Sequence, residues 1–457
     1  MWKRFTLTKR ATVKAFFQSD RALLIFFFFC AFFLRILNLG RDILTDESYY
    51  YYMSRFPSQY IVLHLDTMPM LYFLYHLFTA DIPTFRLLNV IIGSLIPCLI
   101  YMILRTYDVR ERYRILGASL PVFFVVFVKY SSVVFLDTLC TFFFLIGVYF
   151  YRKERWRLTD LFFSLSILTK QVAMLGVVVF IGYLLIRRRS IRPIFPIIIL
   201  SVSAVFIILI PLGGWKPLWY GGPHGDFSFL SLLLFFSITP ALLPLLVLLL
   251  YRKYYVEFVF FIIFPLFFFI YQGNTEWYAV LPLSFNIVSA MVMLNEIHSF
   301  QLNFHFKKIY ATYFLLIFLG LNIAFSSYYQ ALATYQFIND KPHQLRDVTQ
   351  FISEKYNGRR IVMIDVFWSF YLYPFETLKV DHRTNTVFNY TVQYYSSLIN
   401  ETDLVVMGTI YQMNHEIRKS LLQLYVNNIV FKNDEYTVID LAPPNHSMFL
   451  SIHKSQK

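Results

Sequence analysis

The sequence predicts a polytopic α-helical membrane protein that carries a small α/β domain in its C-terminal part. Of its 457 residues, 58% are hydrophobic, 20% are aromatic and only 15% are charged, whereas soluble globular chains carry about 25% charged residues. Basic residues recur in short clusters between long apolar runs. From about residue 338 onwards, the composition changes to that of a soluble domain.

The basic clusters predict the number and direction of the membrane spans. Short loops rich in Lys and Arg stay on the cytoplasmic side, so an apolar interval between two such loops crosses the membrane an even number of times. The clusters lie before residue 22 and at 105–114, 152–157, 187–192, 252–253 and 307–308. Each interval is apolar and broken once, which gives five pairs of spans, and a last run at 310–325 is unpaired. The sequence therefore predicts about 11 transmembrane helices, with the N-terminus cytoplasmic and the C-terminal domain outside.

Charge and cysteine content exclude several other classes of protein. The net charge of +14 lies mostly in the predicted cytoplasmic loops, so it indicates orientation in a lipid bilayer and no nucleic-acid partner. The three cysteines, Cys30, Cys98 and Cys140, lie within apolar runs and have neither metal-ligand nor disulfide spacing. They are interpreted as small core residues.

Three regions follow from this map. Residues 1–21 are a basic cytoplasmic tail, 22–337 a transmembrane domain with a first outer loop at 40–84, and 338–457 a soluble extracytoplasmic α/β domain. The interval 160–186 forms either two short spans or a re-entrant pair, because each half is shorter than the roughly 20 residues of an upright span. In the last region, helices are predicted at 343–356 and 414–425, and strands at 360–366, 403–408, 435–441 and 448–453.

Polar residues at the outer ends of the predicted spans form the candidate site. Carboxylates at a bilayer surface suit general-base activation of a hydroxyl or the binding of a divalent cation. Cations on the same face suit an anionic group that leaves during the reaction. The set comprises Arg35, Asp46, Glu47, His64, Asp66, Asp137, Lys170, His224, Asp226 and Glu276.

Structural explanations remain open for single members of this set. Asp46 and Glu47 follow Thr45, so they are also explained as charges that complement a helix N-terminus. Lys170 is also explained as a lysine that extends its amine to the membrane surface. Histidines in loops such as His64 are usually surface residues and less often metal ligands.

The order of these motifs resembles the type C polytopic glycosyltransferases, in particular the superfamily of protein O-mannosyltransferases and aminoarabinose transferases that use polyprenyl-phosphate sugars. The similarity covers roughly residues 20–300. It is carried by Arg35 late in the first span, Asp46-Glu47 before a run of Tyr, Asp66 and Pro69 in His64-Leu-Asp-Thr-Met-Pro-Met-Leu-Tyr72, Leu136-Asp137, Leu168-Thr-Lys170 and Trp277-Tyr-Ala-Val-Leu-Pro282. Met68, Gln171 and Glu276 depart from the family pattern, which leaves the identity of the donor open.

The resemblance implies a reaction and a role for each matching residue. The protein would move a sugar from a dolichyl- or undecaprenyl-phosphate donor to a hydroxyl of a protein, lipid or glycan acceptor on the non-cytosolic face, with inversion. Asp46 would be the base, with Glu47 and Asp137 as further catalytic residues. Lys170 and Arg35 would bind the donor phosphate. Support or cation binding would fall to Asp66, His64 and Glu276. A divalent cation is the one candidate cofactor.

A polytopic transporter or lipid flippase is the alternative function, with the outer carboxylates and Lys170 as coupling residues. It is less favoured because the acids cluster at the predicted outer surface rather than at mid-membrane. The predicted location is the plasma membrane of a prokaryote, with the endoplasmic reticulum as the second choice.

Overall fold

The structure is a computed structural model that describes residues 20–41, 47, 82–170, 173, 176–177, 280–300, 306–339, 344–356, 358–364, 379–380, 403–408 and 415–441. These residues form two compact units. The helical unit ends at Asn339, close to the predicted boundary. The α/β unit takes the C-terminal part of the chain and also residues 40, 41 and 47, which the sequence had assigned to the transmembrane domain.

The described part of the helical unit consists of eight helices. They are α1 (Asp20–Ile36), α2 (Ile82–Thr106), α3 (Glu111–Phe123), α4 (Val125–Ser131), α5 (Leu136–Arg152), α6 (Trp156–Thr169), α7 (Val280–Phe300) and α8 (Phe306–Asn339). By length and hydropathy, Pro83–Thr106 is able to cross a membrane alone, and α3 with α4 passes the same test as a bent pair. The unpaired span predicted at 310–325 lies within α8, which extends further in both directions.

Two of the basic loops lie together at one end of the described part of the helical unit. The carboxylate of Asp20, at the start of α1, accepts a hydrogen bond of 2.6 Å from the Tyr101 hydroxyl and pairs with Arg105 at 2.5 Å. Arg152, at the end of α5, donates to the carbonyl of Thr106 at 2.8 Å, and its guanidinium lies 4.0 Å from the ring centre of Tyr107. The clusters at 105–114 and 152–157 are therefore neighbours.

Helices α3 and α4 form a bent pair that is interrupted at Phe124. Their axes are bent by 54°, and Phe124 has an extended backbone with φ −67° and ψ 127°. Pro121 lies one turn earlier, where it removes a backbone donor from the helix. The sequence predicted one break at 129–132. The structure has a turn after Ser131, within that range. The break at Phe124 is an additional one, which the sequence did not predict.

The α/β unit contains a five-stranded sheet in the order β2-β1-β3-β5-β4. Its strands are β1 (Arg360–Ile364), β2 (Lys379–Val380), β3 (Leu404–Gly408), β4 (Ile429–Lys432) and β5 (Tyr436–Asp440). β1 is parallel to β2 and β3, whereas β5 is antiparallel to β3 and β4. Helix α9 (Gln344–Lys355) covers one face through Leu345, Val348 and Ile352, and helix α10 (His415–Leu424) covers the other through Leu421.

The elements of this unit lie close to their predicted positions. Three hydrophobic runs form β1, β3 and β5, and the two amphipathic segments form α9 and α10. Strands β2 and β4 were not predicted, and the strand predicted at 448–453 lies outside the described residues.

Candidate functional site

Two of the predicted site residues form a buried ion pair. The Nζ atom of Lys170 donates to Oδ2 of Asp137 at 2.7 Å, and the side chains are only 6% and 7% exposed. Asp137 lies in the first turn of α5, and Lys170 directly follows α6. Residues 33 positions apart in the chain thus meet at one end of the helical unit.

The pair exists because α5 and α6 form a tightly packed antiparallel hairpin. One layer below the pair, the Ser166 hydroxyl donates to the carbonyl of Cys140 at 2.9 Å. Below that, the rings of Phe144 and Phe163 pack with centres 4.8 Å apart. These contacts set the register in which the start of α5 faces the end of α6.

Lys170 leaves the helix through an extended backbone conformation, with φ −153° and ψ 127°. Its N–H donates to the carbonyl of Ser166 at 3.0 Å, which closes the last turn of α6. The break that the sequence predicted at 169–171 is therefore present. Of the following predicted segment, residues 173, 176 and 177 are described, and they are helical.

Gly147 allows the hairpin to close. A Cβ atom at this position would lie 2.5 Å from a ring carbon of Phe163, which is itself fully buried. We expect Gly147→Ala to destabilise the protein by about 1–3 kcal/mol through overpacking, measured as a lower Tm in detergent. Gly320→Ala is the matched control, because a Cβ at Gly320 meets nothing within 4 Å and alanine is the better helix former. An unchanged Tm for Gly147→Ala would contradict this account of the register.

The electrostatics of the pair make each member dependent on the other. A buried carboxylate or ammonium is strongly disfavoured unless a partner of opposite charge is in contact. Asp137 gains further stabilisation from the positive end of the α5 dipole, because it lies in the first turn. The arrangement therefore fixes a cation and an anion at the end of two helices, away from water.

Arg35 makes its hydrogen bonds to oxygen atoms of the protein itself. It is fully buried in the last turn of α1. It donates four hydrogen bonds, to the Ser131 hydroxyl at 2.6 Å and to the carbonyls of Ala31, Pro121 and Val122 at 3.0, 2.8 and 3.3 Å. None of these partners is anionic, and the predicted contact of Arg35 with a donor phosphate stays a prediction.

The other candidates divide into one described residue and six that lie outside the described part. Glu47 belongs to the α/β unit, where it is fully buried. The residues outside the described ranges are Asp46, His64, Asp66, His224, Asp226 and Glu276. Among the described residues, no group of three His, Cys, Asp or Glu side chains is placed to hold a metal ion. The roles assigned to these residues stay predictions.

Sequence reasoning missed Asn89, which lies buried in α2. Its amide nitrogen donates to the carbonyl of Tyr130 at 3.2 Å and to that of Phe135 at 3.4 Å, and it also contacts the Val133 carbonyl. It thereby holds the turn that leads into α5. A single asparagine within a long apolar span was the available signal, because a buried amide requires partners.

Solved structures share this fold. ArnT from Cupriavidus metallidurans in the apo state matches with a TM-score of 0.57 and 15% identity, over 92% of this chain and 98% of that one. ArnT bound to undecaprenyl phosphate gives a TM-score of 0.56 at 15% identity, over 92% and 99%. The Archaeoglobus fulgidus oligosaccharyltransferase tethered with an acceptor peptide gives 0.54 at 12% identity, over 85% and 69%.

No family model and no curated protein matches the sequence. The structural matches nevertheless extend over most of this chain. They confirm the fold indicated by the order of the sequence motifs: the chain has the polytopic membrane fold of type C (GT-C) glycosyltransferases.

Proposed function

We propose, from this fold and from the buried pair, that the protein is a membrane glycosyltransferase. In this proposal it moves a sugar from a polyprenyl-phosphate donor to an acceptor hydroxyl on the non-cytosolic face of the membrane. The observation that carries the proposal is the ion pair between Asp137 and Lys170, at 2.7 Å in a water-poor environment. An ammonium group held in this way is suited to bind a phosphate that gains charge as it leaves.

The proposed reaction is a direct displacement at the anomeric carbon. The acceptor oxygen forms a bond to that carbon, and the bond between the carbon and the phosphate oxygen breaks. The electron pair of the broken bond leaves with the phosphate, which gives polyprenyl phosphate. The proton of the acceptor hydroxyl passes to a carboxylate, for which Asp46 is the candidate. Because the acceptor attacks opposite the leaving group, the configuration at the anomeric carbon is inverted.

In this scheme Lys170 stabilises the leaving phosphate, and Asp137 holds the Lys170 side chain in place. The pair is kept away from water, which strengthens the interaction of the ammonium with a phosphate. The structure with undecaprenyl phosphate bound, that of ArnT from Cupriavidus metallidurans, supports a lipid phosphate as the donor's leaving group here. Glu47 and Asp66 remain candidates for supporting the base or for binding a divalent cation.

The membrane topology of the proposal follows the sequence map. It places about 11 spans in the membrane, the N-terminus in the cytoplasm and the α/β unit outside, in a prokaryotic plasma membrane. The contact between Arg152 and the carbonyl of Thr106, at 2.8 Å, supports it because this contact brings two basic loops to one end of the helical unit. Asp137, in the first turn of α5, and Lys170, directly after α6, lie at the opposite end of the hairpin.

Binding of the common leaving group tests the proposal without knowledge of the sugar. We expect undecaprenyl phosphate to raise the Tm of the purified protein, because a ligand that binds only the folded state stabilises it. Undecaprenol, which lacks the phosphate, should give a much smaller shift. Lys170→Met should remove the difference between the two lipids, whereas Lys153→Met, which changes an exposed lysine in the loop after α5, should keep it. Equal shifts by both lipids in the native protein would contradict a phosphate site.

A further inference from the structure

The break between α3 and α4 leaves backbone groups without helical partners. The last carbonyls of one helix and the first N–H groups of the next lose their intrahelical hydrogen bonds wherever a helix is interrupted. Within a bilayer no water is available to replace them, so an interrupted span persists only where protein groups take over. The groups at this break include the carbonyls of residues 121–123 and the N–H of residue 125.

Side chains from two distant helices supply these partners. Arg35 of α1 donates to the carbonyls of Pro121 and Val122, at 2.8 and 3.3 Å. Thr334 of α8 donates to the carbonyl of Phe123 at 2.6 Å. On the other side of the break, the N–H of Val125 donates to Oε1 of Gln330, also of α8, at 3.1 Å. Three consecutive carbonyls and one N–H are thus bonded to side chains.

Arg35 also crosses the break. Its Nε atom donates to the hydroxyl of Ser131 at 2.6 Å, and Ser131 is the last residue of α4. The same guanidinium therefore binds the end of α3 and the end of α4. A guanidinium is planar and carries five donors in a rigid fork, so it reaches acceptors on several elements in fixed directions, whereas the three donors of an ammonium lie on one compact nitrogen.

The side chains of Arg35, Gln330 and Thr334, together with the backbone groups they bond at the break, are called the clamp. A short series of contacts links this clamp to Asp137. The Thr138 hydroxyl, next to Asp137 in the first turn of α5, donates to the carbonyl of Tyr130 at 2.8 Å. Asn89 donates to the same carbonyl at 3.2 Å. Tyr130 precedes Ser131 in α4, so a shift of α4 would be transmitted to the start of α5.

We propose that Arg35, Gln330 and Thr334 are positioning residues for the donor-phosphate site. They fix the bend of the interrupted span and thereby the place of Asp137, which in turn holds the amine of Lys170. Arg35 acts in this way through the backbone, without touching the donor. The inference rests on the proposed function, and it assigns a different role to Arg35 from the phosphate contact indicated by the sequence resemblance.

Charge-conserving substitution separates the two roles of Arg35. A phosphate contact tolerates Arg35→Lys in part, because the positive charge is kept. A positioning role does not, because the bonds to Ser131, Val122 and Pro121 come from three different nitrogens of the Arg35 fork, which a single lysine nitrogen does not reproduce. We expect Arg35→Lys to lower sugar transfer by about 100-fold, the loss that a misplacement of about 1 Å can cause. The variant that carries both Gln330→Leu and Thr334→Val removes the two partners on α8 and should also lower sugar transfer.

A double-variant comparison tests whether Arg35 acts through the ion pair. In a background where Asp137→Asn and Lys170→Met are both present, Arg35→Lys should lower the remaining transfer by less than about 3-fold, because interacting residues are not additive. An undiminished loss in this background would contradict action through the pair. All transfer rates are compared per folded molecule, so that a smaller amount of folded protein is not mistaken for a lower rate.

Hydrogen exchange gives a readout that does not depend on activity. We expect the amides of residues 121–138 to exchange faster in Arg35→Lys and in the variant of Gln330 and Thr334. Ser94→Ala is the control, because the buried Ser94 hydroxyl donates within its own helix to the carbonyl of Val90 at 2.6 Å. Faster exchange in the variants, together with a transfer loss, supports the proposal.

The outcomes separate this inference from the proposed function. If the native protein transfers sugar and Arg35→Lys is equally active per folded molecule, the positioning role is wrong and the function stands. If exchange is unchanged in Arg35→Lys, the clamp is also wrong. A third outcome is that amide exchange rises as expected in Arg35→Lys but the native protein releases no polyprenyl phosphate from any donor. The clamp at the break then stands, and both the proposed function and the positioning of a donor site are wrong.

Discussion

Replacing Lys170 by methionine is expected to remove sugar transfer and to destabilise the protein at the same time. Methionine leaves the carboxylate of Asp137, whose side chain is only 7% exposed, without the cation that lies 2.7 Å away. Breaking a buried pair by removal of one partner costs about 3–5 kcal/mol. Loss of a charge that stabilises the leaving group lowers the rate by about 100- to 1000-fold. Thermal unfolding in detergent and transfer per folded molecule measure the two effects.

The double variant with Asp137→Asn and Lys170→Met separates structure from chemistry. It removes both charges, so it should recover most of the stability that Lys170→Met loses, because an uncharged replacement of a buried pair is often neutral. Transfer should stay low, since the cation is still missing. If the double variant regained both stability and transfer, the pair would be purely structural and the donor phosphate would have to bind elsewhere.

Replacing Asp46 by asparagine is expected to abolish transfer while donor binding is kept. Asparagine is nearly isosteric but cannot accept the proton of the acceptor hydroxyl, and the loss of a general base lowers rates by about 10²- to 10⁴-fold. Polyprenyl-phosphate binding should be unchanged, because the proposal places Asp46 on the acceptor and not on the phosphate. The measurement is the transfer rate at saturating donor, with the Tm shift by undecaprenyl phosphate as the readout of binding.

Asp108→Asn is the control for this prediction. Asp108 is an exposed carboxylate in the loop between α2 and α3 with φ 54°, a conformation that asparagine also adopts readily. This variant should keep full transfer. Full activity of Asp46→Asn would show that another group takes the proton, and Glu47→Gln would then be the next variant to measure.

The sequence predicted the neighbourhood of Asp137 and Lys170 but not their contact. Because an even number of spans separates two basic loops, the sequence placed the start of one helix and the end of the next at the same face. The hydrogen bond between their side chains depends on the register of α5 against α6, which is determined by the contact of Gly147 with Phe163. A hydrophobicity pattern contains the helix period but no information on such a register.

The surroundings of Arg35 could not be predicted for a related reason. Its place in the last turn of α1 followed from the length of the apolar run. The break at Phe124 did not, because Pro121 alone does not specify whether a helix bends or continues. The partners of the freed backbone groups, Gln330 and Thr334, are 205 and 211 residues from the groups they bond.

In the α/β unit, the sequence predicted the longer elements and missed the short ones. Strand β3 is fully buried and was visible as a continuous run of apolar residues. Strand β2 has only two residues, and β4 is half exposed, so neither stands out in the pattern. The order of the strands follows from tertiary pairing, which the pattern does not contain.

The most direct test of the whole account is the release of free polyprenyl phosphate from lipid-linked sugars by the purified protein in nanodiscs. A panel of undecaprenyl- and dolichyl-phosphate sugars is offered to the native protein and to the variant with Asp137→Asn and Lys170→Met. The account predicts that the native protein releases polyprenyl phosphate from at least one donor, with water attacking the anomeric carbon in place of the acceptor hydroxyl, and that the variant does so at least about 100-fold more slowly. Donors that bind but stay intact, or that cross to the other leaflet uncleaved, would contradict it and favour a transporter or flippase.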